Sequence, residues 1–446
     1  MASQRSVCVI GGGLTGALMA NYLARAGWRV DVYERRADPR VAGFVGGRSI
    51  NLAISERGLD ALRRVGLAEP ILALALPMRG RMIHDLAGRQ TLLPYDKDPA
   101  RCINSISRGG LNIALLDAAE RHGNVRLHFE RTCVAIDLEA PAARLRDERT
   151  GEELTASADL LIGADGAYST VRGVMQRLER FDYSQAYLEH GYKELHVPPT
   201  AGGAFQMEPN ALHIWPRRAF MMIALPNTDR SFTCTCFWPF AGPNGFERLR
   251  TADETRSYFR EQFRDAEALM PTLEDDYQRN PTGALVTVRC APWHFSDRVV
   301  LIGDAAHAIV PFYGQGMNAG FEDCVELDHC LRGCAGARGA ASELGAALAE
   351  YSRRRRPNGD AIADLALRNF IEMRDHSGKR MFRLKKAVER SLHEWWPGYT
   401  PLYTLISFTT VPYAEAAQRA RRQDRGVLLT LLALLLLVVA LAVWAT

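Results

Sequence analysis

Four short segments hold the residue types and spacings best suited to chemistry. The first is Gly11-Gly12-Gly13-Leu14-Thr15-Gly16. Glycines at 11, 13 and 16 allow a tight turn and a close backbone approach to a pyrophosphate, and a following helix offers unpaired N–H groups and its positive dipole end. Glu34 comes 18 residues after Gly16, where a carboxylate can bind ribose hydroxyls. An acid there favours an unphosphorylated ribose, hence FAD or NAD over NADP. Arg35 and Arg36 can flank an adenine or a 2′-phosphate. The second and third segments are Gly163-Ala164-Asp165-Gly166 and Gly303-Asp304-Ala305-Ala306-His307. Each aspartate can bind a ligand, and each, taken alone, also suits a helix cap. The fourth is Pro311–Gly320, where Gly314 and Gly316 free backbone N–H groups ahead of a helix starting near Asn318. Such a helix end can stabilise negative charge on a bound ligand. Only one dinucleotide fingerprint occurs in the chain, so a second nucleotide would visit transiently.

The elements around these segments form a pattern. Ser6–Ile10 reads as a buried strand, a helix runs to Ala26, and Arg29–Tyr33 alternates as a second strand. Leu160-Leu161-Ile162 and Arg298–Ile302 are buried strands that lead into the two aspartate segments. From about Phe181 to Phe295, strand-like runs rich in aromatics, Met and Thr suggest an inserted antiparallel sheet. Beyond Asn318 the chain reads as mostly helical. The Arg353–Arg356 run is expected to be a solvated helix end before Pro357.

Composition narrows the classes. The 446 residues, 47% hydrophobic and 24% charged, exclude a mostly disordered, collagen-like or coiled-coil chain. A net charge of +4 is too near neutral to point to nucleic-acid binding. Nine cysteines, without paired zinc spacing, argue for reduced thiols and no metal site. Val427–Ala445 carries no charge. As a helix it reaches about 28 Å, close to the roughly 30 Å hydrocarbon core. Arg419, Arg421, Arg422 and Arg425 precede it, which predicts a tail anchor with the body on the cytosolic side.

The three glycine and aspartate motifs, in this order, resemble the set found in single-component FAD aromatic hydroxylases. Longer segments sharpen the likeness: Gly47–Ala53, Arg180–Gln185, His213–Arg217, Phe220–Asn227 and Asn369–Arg374. Together they resemble the kynurenine 3-monooxygenase family, from the first strand to the apolar tail. The resemblance implies a Rossmann-like α/β FAD-binding domain with an inserted antiparallel substrate sheet, a helical C-terminal region and a transmembrane helix. The corresponding boundaries are 1–180, 181–295, 296–340, 341–425 and 427–445, with the clamp strands inside the first part. It implies bound FAD held by Gly11, Gly13, Leu14, Gly16, Glu34, Arg35, Arg36, Ala53, Arg108, Asp165, Asp304, Gly316, Met317 and Asn318. It implies a substrate amino-acid end gripped by Arg81, Tyr95, Asn369 and Tyr403, with Arg79 as the alternative to Arg81. Met222, Leu225, Phe237, Phe312 and Tyr313 are the expected ring-pocket walls. Tyr313 departs from the Phe or His expected there, and its hydroxyl is read as a donor to the substrate ketone. His307 is read as a structural hydrogen-bonding residue.

The reaction implied is L-kynurenine, NADPH, O₂ and a proton giving 3-hydroxykynurenine, NADP⁺ and water through a flavin C4a-hydroperoxide. No protein nucleophile is needed, because the substrate amine activates the ring. NADPH would visit transiently. The membrane implied is the inner membrane in a bacterium and the mitochondrial outer membrane in a eukaryote. The competing readings are a related flavin hydroxylase or epoxidase of another substrate, and a non-catalytic escort protein that need not keep flavin.

Overall fold

The computed structural model describes residues 4–42, 51–332, 341–372, 388–389, 391–396 and 398–444. The Gly47–Ile50 part of one motif, Cys334 and the Met373–Arg374 end of another lie outside these residues.

The glycine fingerprint sits in a six-stranded sheet ordered His294–Phe295, Val299–Leu301, Leu160–Gly163, Ser6–Ile10, Arg29–Tyr33, Val125–His128. Its central pairs are parallel, and His294–Phe295 is the one antiparallel edge. Ser6–Ile10 is buried along its whole length, as an apolar run between two helical layers must be. The Leu14–Arg25 helix buries every residue from Gly16 to Ala24. Parallel strands place the Gly11, Gly163 and Gly303 turns together at their carboxyl ends, where ligands bind in open α/β sheets.

The second sheet has seven strands: Gly283–Ala291, Asp182–Val197, Phe232–Pro239, Met221–Pro226, Ala211–Pro216, Gly80–His84, Gln90–Pro94. Two findings differ from the expected insert. The sheet is mixed, because Gly80–Ile83 pairs in parallel with Ala211–Ile214. The hairpin Gly80–His84 and Gln90–Pro94 also leaves the first part of the chain and completes this sheet's edge. Backbone pairing between strands about 130 residues apart leaves no local trace.

The same sheet has two distinct faces. Trp215, Met222, Ala224, Cys234, Cys236 and Trp238 face one side, while Ile214, Met221 and Phe237 face the other. The first side is covered by helices Ala252–Gln262, Arg264–Glu267 and Leu273–Arg279, which the sequence reading did not assign. Their signal was present: Thr251 and Glu254 form a capping box. Trp238 is fully buried there, parallel to Phe263 at 5.8 Å and stacked on Phe246 at 5.2 Å.

Two helices, Gly316–Leu331 and Ala341–Ile371, pack beside the first sheet. The expected break before Pro357 is absent, and the helix runs through it. Asn358 Nδ2 donates to the Arg354 carbonyl at 2.9 Å, which satisfies one acceptor in the turn that proline distorts. Arg353, Arg354 and Arg356 are exposed as expected, but Arg355 is 2% exposed and paired with Glu322 and Asp323. The last helix, Tyr413–Trp444, starts well before the apolar run and roots on the body through Tyr413, Ala416, Ala417 and Ala420. Its apolar part has a mean hydropathy of 3.1 and none of it is buried, so it is long and apolar enough to cross a membrane.

Trp238→Ala should open a cavity between the sheet and its helical cover. The expected loss is about 3–5 kcal/mol, read as a lower urea midpoint.

Candidate active site

The cofactor cleft forms where the Leu14–Arg25 helix begins. Gly11 has φ +104°, and a Cβ there would lie 2.4 Å from the Ala164 carbonyl oxygen. A Cβ on Gly16 would lie 2.0 Å from the Gly11 carbonyl oxygen. These two glycines are required by the fold itself. Gly13 is different: a Cβ there meets nothing within 4 Å. The space in front of it opens into a cleft lined by Gly12, Gly13, Leu14, Glu34, Arg36 and Arg108. Glu34 accepts hydrogen bonds from the Gly12 amide at 2.9 Å and the Arg36 amide at 3.0 Å, so its carboxylate also pins the turn. Asn112, which no motif marks, donates to the Gly12 carbonyl at 3.0 Å. Arg35 is exposed and does not line the cleft.

The two aspartates differ. Asp165 Oδ2 accepts from the Thr170 amide at 2.7 Å and the Val171 amide at 3.3 Å, starting the Thr170–Met175 helix. Its Oδ1 is buried without a hydrogen-bond partner, and burial raises its pKa. Asp304 keeps an exposed surface, yet protein crowds it closely enough that burial raises its pKa, against the opposing charges of His307 and Arg108. An open helix N-terminus, an orphaned carboxylate oxygen, an accessible carboxylate deep in the protein and a cleft arginine together fit a flavin dinucleotide. FAD would lie from Glu34 and Arg36, past Gly13 and Arg108, toward Asp165 and Asp304.

The loop before Gly316–Leu331 turns at Gly314, φ +66°. Gly316 opens the helix, and Met317 is half-buried against the central core. Asn318 holds a different post from the one expected. Its Oδ1 accepts from the Ser55 amide at 2.9 Å, and its Nδ2 donates to the Ala53 and Gly314 carbonyls at 2.9 and 2.8 Å. A side chain so fully occupied ties the Ala53 strand to the loop, leaving the loop backbone to face a flavin. Behind the loop, Asp323 is fully buried. It accepts from Gly303 N at 2.8 Å and Arg355 Nε at 2.7 Å, and pairs with His307 Nε2 at 2.5 Å. Burial works against its charge, but His307 and Arg355 outweigh it and hold the carboxyl below its usual range. His307 is thus a structural hydrogen-bonding residue. Asp323, Arg355 and Arg57 escaped the sequence reading because their partners are distant in the chain.

The clamp residues gather on the edge hairpin. The Arg81 guanidinium lies 4.6 Å from the Tyr403 ring centroid and 5.7 Å from that of Tyr95. Tyr95 stacks on Tyr403 at 5.1 Å, and Tyr313 stacks on Tyr403 at 5.8 Å. Arg81 Nε and the Tyr95 hydroxyl are buried and make no well-formed hydrogen bond within the protein. Burial would lower the Arg81 pKa, but the phenols of Tyr403, Tyr95 and Tyr313 outweigh it and the pKa rises. Burial also raises the Tyr313 phenol, which stays neutral. Arg79 is on the surface, bonded to Asn210 at 3.1 Å, which favours Arg81 over it.

Asn369 is buried on the Ala341–Ile371 helix. Its Nδ2 donates to the Phe312 carbonyl at 2.7 Å. Phe312 in turn touches Phe237 at 5.0 Å and stacks on Phe370 at 4.0 Å. Leu225 packs with Met78 and Ile103, beside Tyr95 and Phe408. Met222 is a correction: it packs on the opposite face with Trp215 and Trp238, because the pleat reverses at each residue. Met221 and Ile223 occupy the site-facing positions instead. Phe370, inside the Asn369–Arg374 segment, and Phe408, which no motif announced, pack beside these residues. The result is a cationic, phenol-rimmed end joined to an aromatic interior.

Comparisons place this geometry among known proteins. A family model described as "FAD binding domain" matches residues 4–366. The kynurenine 3-monooxygenase of Myxococcus xanthus is 48% identical over 424 residues, covering 95% of this chain and 90% of that protein. The one from Dictyostelium discoideum is 46% identical, covering 93% and 90%. Among solved structures, the tetrameric form of 2-methyl-3-hydroxypyridine-5-carboxylic acid oxygenase aligns with a TM-score of 0.67 at 22% identity, over 90% of this chain and 95% of that one. The p-nitrophenol 4-monooxygenase of Pseudomonas putida DLL-E4 aligns at 0.66 and 18%, over 87% and 94%. These two likenesses bear on the fold alone. The cradle has its own test: Gly13→Val should leave the apoprotein's thermal stability nearly unchanged while abolishing the flavin absorbance of the purified protein. A stable protein that stays yellow would remove Gly13 from the cradle. By the matched family model and by close identity over nearly its whole length, the chain belongs to the kynurenine 3-monooxygenase family of FAD-binding monooxygenases.

Proposed function

We propose that this flavoprotein hydroxylates L-kynurenine to 3-hydroxykynurenine, consuming NADPH and O₂ and releasing NADP⁺ and water. The observation that carries the reading is the buried cluster of Arg81, Tyr95, Tyr403 and Tyr313 beside packed apolar and aromatic side chains. Kynurenine has the matching halves: an amino acid and an aminophenyl ketone.

Bound FAD, reduced by NADPH, supplies the electrons and the activated oxygen. The chain supplies position and dryness. Arg81 takes the substrate carboxylate in charge-assisted bonds. Tyr95 and Tyr403 add hydrogen bonds without charge, so the amino-acid end is held without a second ion. Asn369 acts through Phe312, whose ring it fixes from the backbone. Leu225, Phe237, Phe312 and the newly placed Met221 and Ile223 hold the aromatic ring and exclude water, which keeps oxygen transfer from decaying to peroxide. The Tyr313 hydroxyl donates to the ketone. The substrate's ring amine activates the attacked carbon, so no protein side chain acts as nucleophile.

The apolar run from Val427 serves as an anchor, with Arg419, Arg421, Arg422 and Arg425 holding the body on the cytosolic side. Removing residues 427–446 should move the protein from the membrane fraction to the soluble one.

Arg81→Ala should raise KM for kynurenine by roughly 30- to 100-fold, the worth of a charge-assisted pair, with FAD content unchanged. An unaltered KM would refute the clamp. Tyr313→Phe should convert part of the NADPH oxidation into hydrogen peroxide release; full coupling in that variant would remove the ketone bond.

A further inference from the structure

Behind the clamp hairpin lies a buried chain of polar groups that the proposed reaction does not use. His84 ends the strand that carries Arg81, and its side chain points to the opposite face. His84 Nδ1 meets Asp265 Oδ2 at 2.5 Å. His84 Nε2 meets His213 Nδ1 at 2.8 Å. His213 Nε2 meets the Glu208 carbonyl oxygen at 2.9 Å. Both imidazoles are fully buried.

Counting protons decides the charge. The Glu208 carbonyl can only accept, so His213 Nε2 carries a hydrogen. Burial lowers the His213 pKa to about 4, so at neutral pH its other nitrogen is bare and accepts. His84 Nε2 must then donate to it. Asp265 also accepts from Trp215 Nε1 at 3.0 Å, and its carboxyl lies below its usual range despite burial because His84 and Trp215 bond to it. An ionised Asp265 needs a hydrogen on His84 Nδ1 as well. Three bonds therefore need three protons, and two neutral rings supply only two. The Trp215 ring, stacked on His84 at 4.0 Å, suits a cation.

Among the charged groups nearby, the Glu208 carboxylate accepts from the Asn210 amide at 2.9 Å and its side chain at 3.3 Å. Arg217 donates to the His84 and Asp85 carbonyls and to that of Gln262, and turns its guanidinium over Phe263. The Asp85 carboxylate faces outward to Arg89. Asp265 is thus the carboxylate that meets the His84 ring.

We propose that His84 is a positioning residue that carries a hydrogen on both ring nitrogens, locking the back of the clamp hairpin to the Ala211–Pro216 strand and the Arg264–Glu267 helix so that Arg81 is held at the substrate's carboxylate. The hairpin is the sheet's edge, joined to it by only one strand pairing, so side-chain anchoring has most to add there. The inference rests on the clamp reading above for its functional half. Its charge half stands independently.

The test uses the full-length holoenzyme in detergent with ¹⁵N-histidine. His84, assigned by its loss in His84→Gln, should give two protonated ring nitrogens at pH 7.5, and Asp265→Asn should convert it to a neutral ring. A neutral His84 in the wild-type enzyme would overturn the proposal. In kinetics, His84→Gln and Asp265→Asn should each raise KM for kynurenine by roughly ten-fold, with kcat and FAD content retained. Unchanged KM in variants that keep their flavin would overturn the positioning role. A charged His84 beside an Arg81→Ala variant of normal KM would instead place the fault in the clamp reading.

Discussion

The Asp323 carboxylate is the interaction on which the rest of the site depends. It is fully buried and accepts from the Gly303 amide and Arg355 while pairing with His307. Arg355 extends the cluster to Glu322, Glu322 to Arg57, and Arg57 lies over the Tyr413 ring at 3.9 Å. One network therefore joins the turn before Asp304, the Gly316–Leu331 and Ala341–Ile371 helices and the root of the last helix. A buried ion is tolerated only when it is fully paired, and stranding one partner costs about 3–5 kcal/mol. The network gains little in net stability over an apolar core. It does restrict the arrangement of the loop and the helices around it.

The seven-stranded sheet divides its labour by the parity of its strands. One face is a closed aromatic core under three helices, built around Trp238. The other carries Met221, Phe237 and Arg81 toward the cofactor side. The reacting face needs an uncovered pocket and buried polar atoms without partners, both of which are destabilising. The Trp238 side provides the dense packing that offsets them.

Local constraints were legible in the sequence and distant ones were not. The tight turn at Gly11 and Gly16 was legible because a Cβ at either would collide with nearby backbone. Arg81, Tyr95 and Tyr403 were found through whole-segment likeness, since nothing in an isolated Tyr95 signals a site. Met222 was misplaced by one residue because alternation alone does not say which parity faces the flavin side. Asn318 was assigned to the cofactor because its loop is, although its side chain is taken up by Ser55, Ala53 and Gly314. The Asp323–Arg355 pair spans 32 residues and matches no motif. The Thr251 and Glu254 capping box was readable, but the aromatic, strand-like texture around it drew attention away.

The order of the central sheet also has a consequence for synthesis. Ser6–Ile10 lies beside Leu160–Gly163, which in turn waits for Val299–Leu301. The Gly80–His84 hairpin waits for Ala211–Pro216. A nascent chain therefore exposes strand edges until about two-thirds of it has left the ribosome. Pairings so distant in sequence form slowly and leave aggregation-prone intermediates. Cells making this protein will depend on chaperones that shield those edges, and expression at lower temperature will favour its recovery.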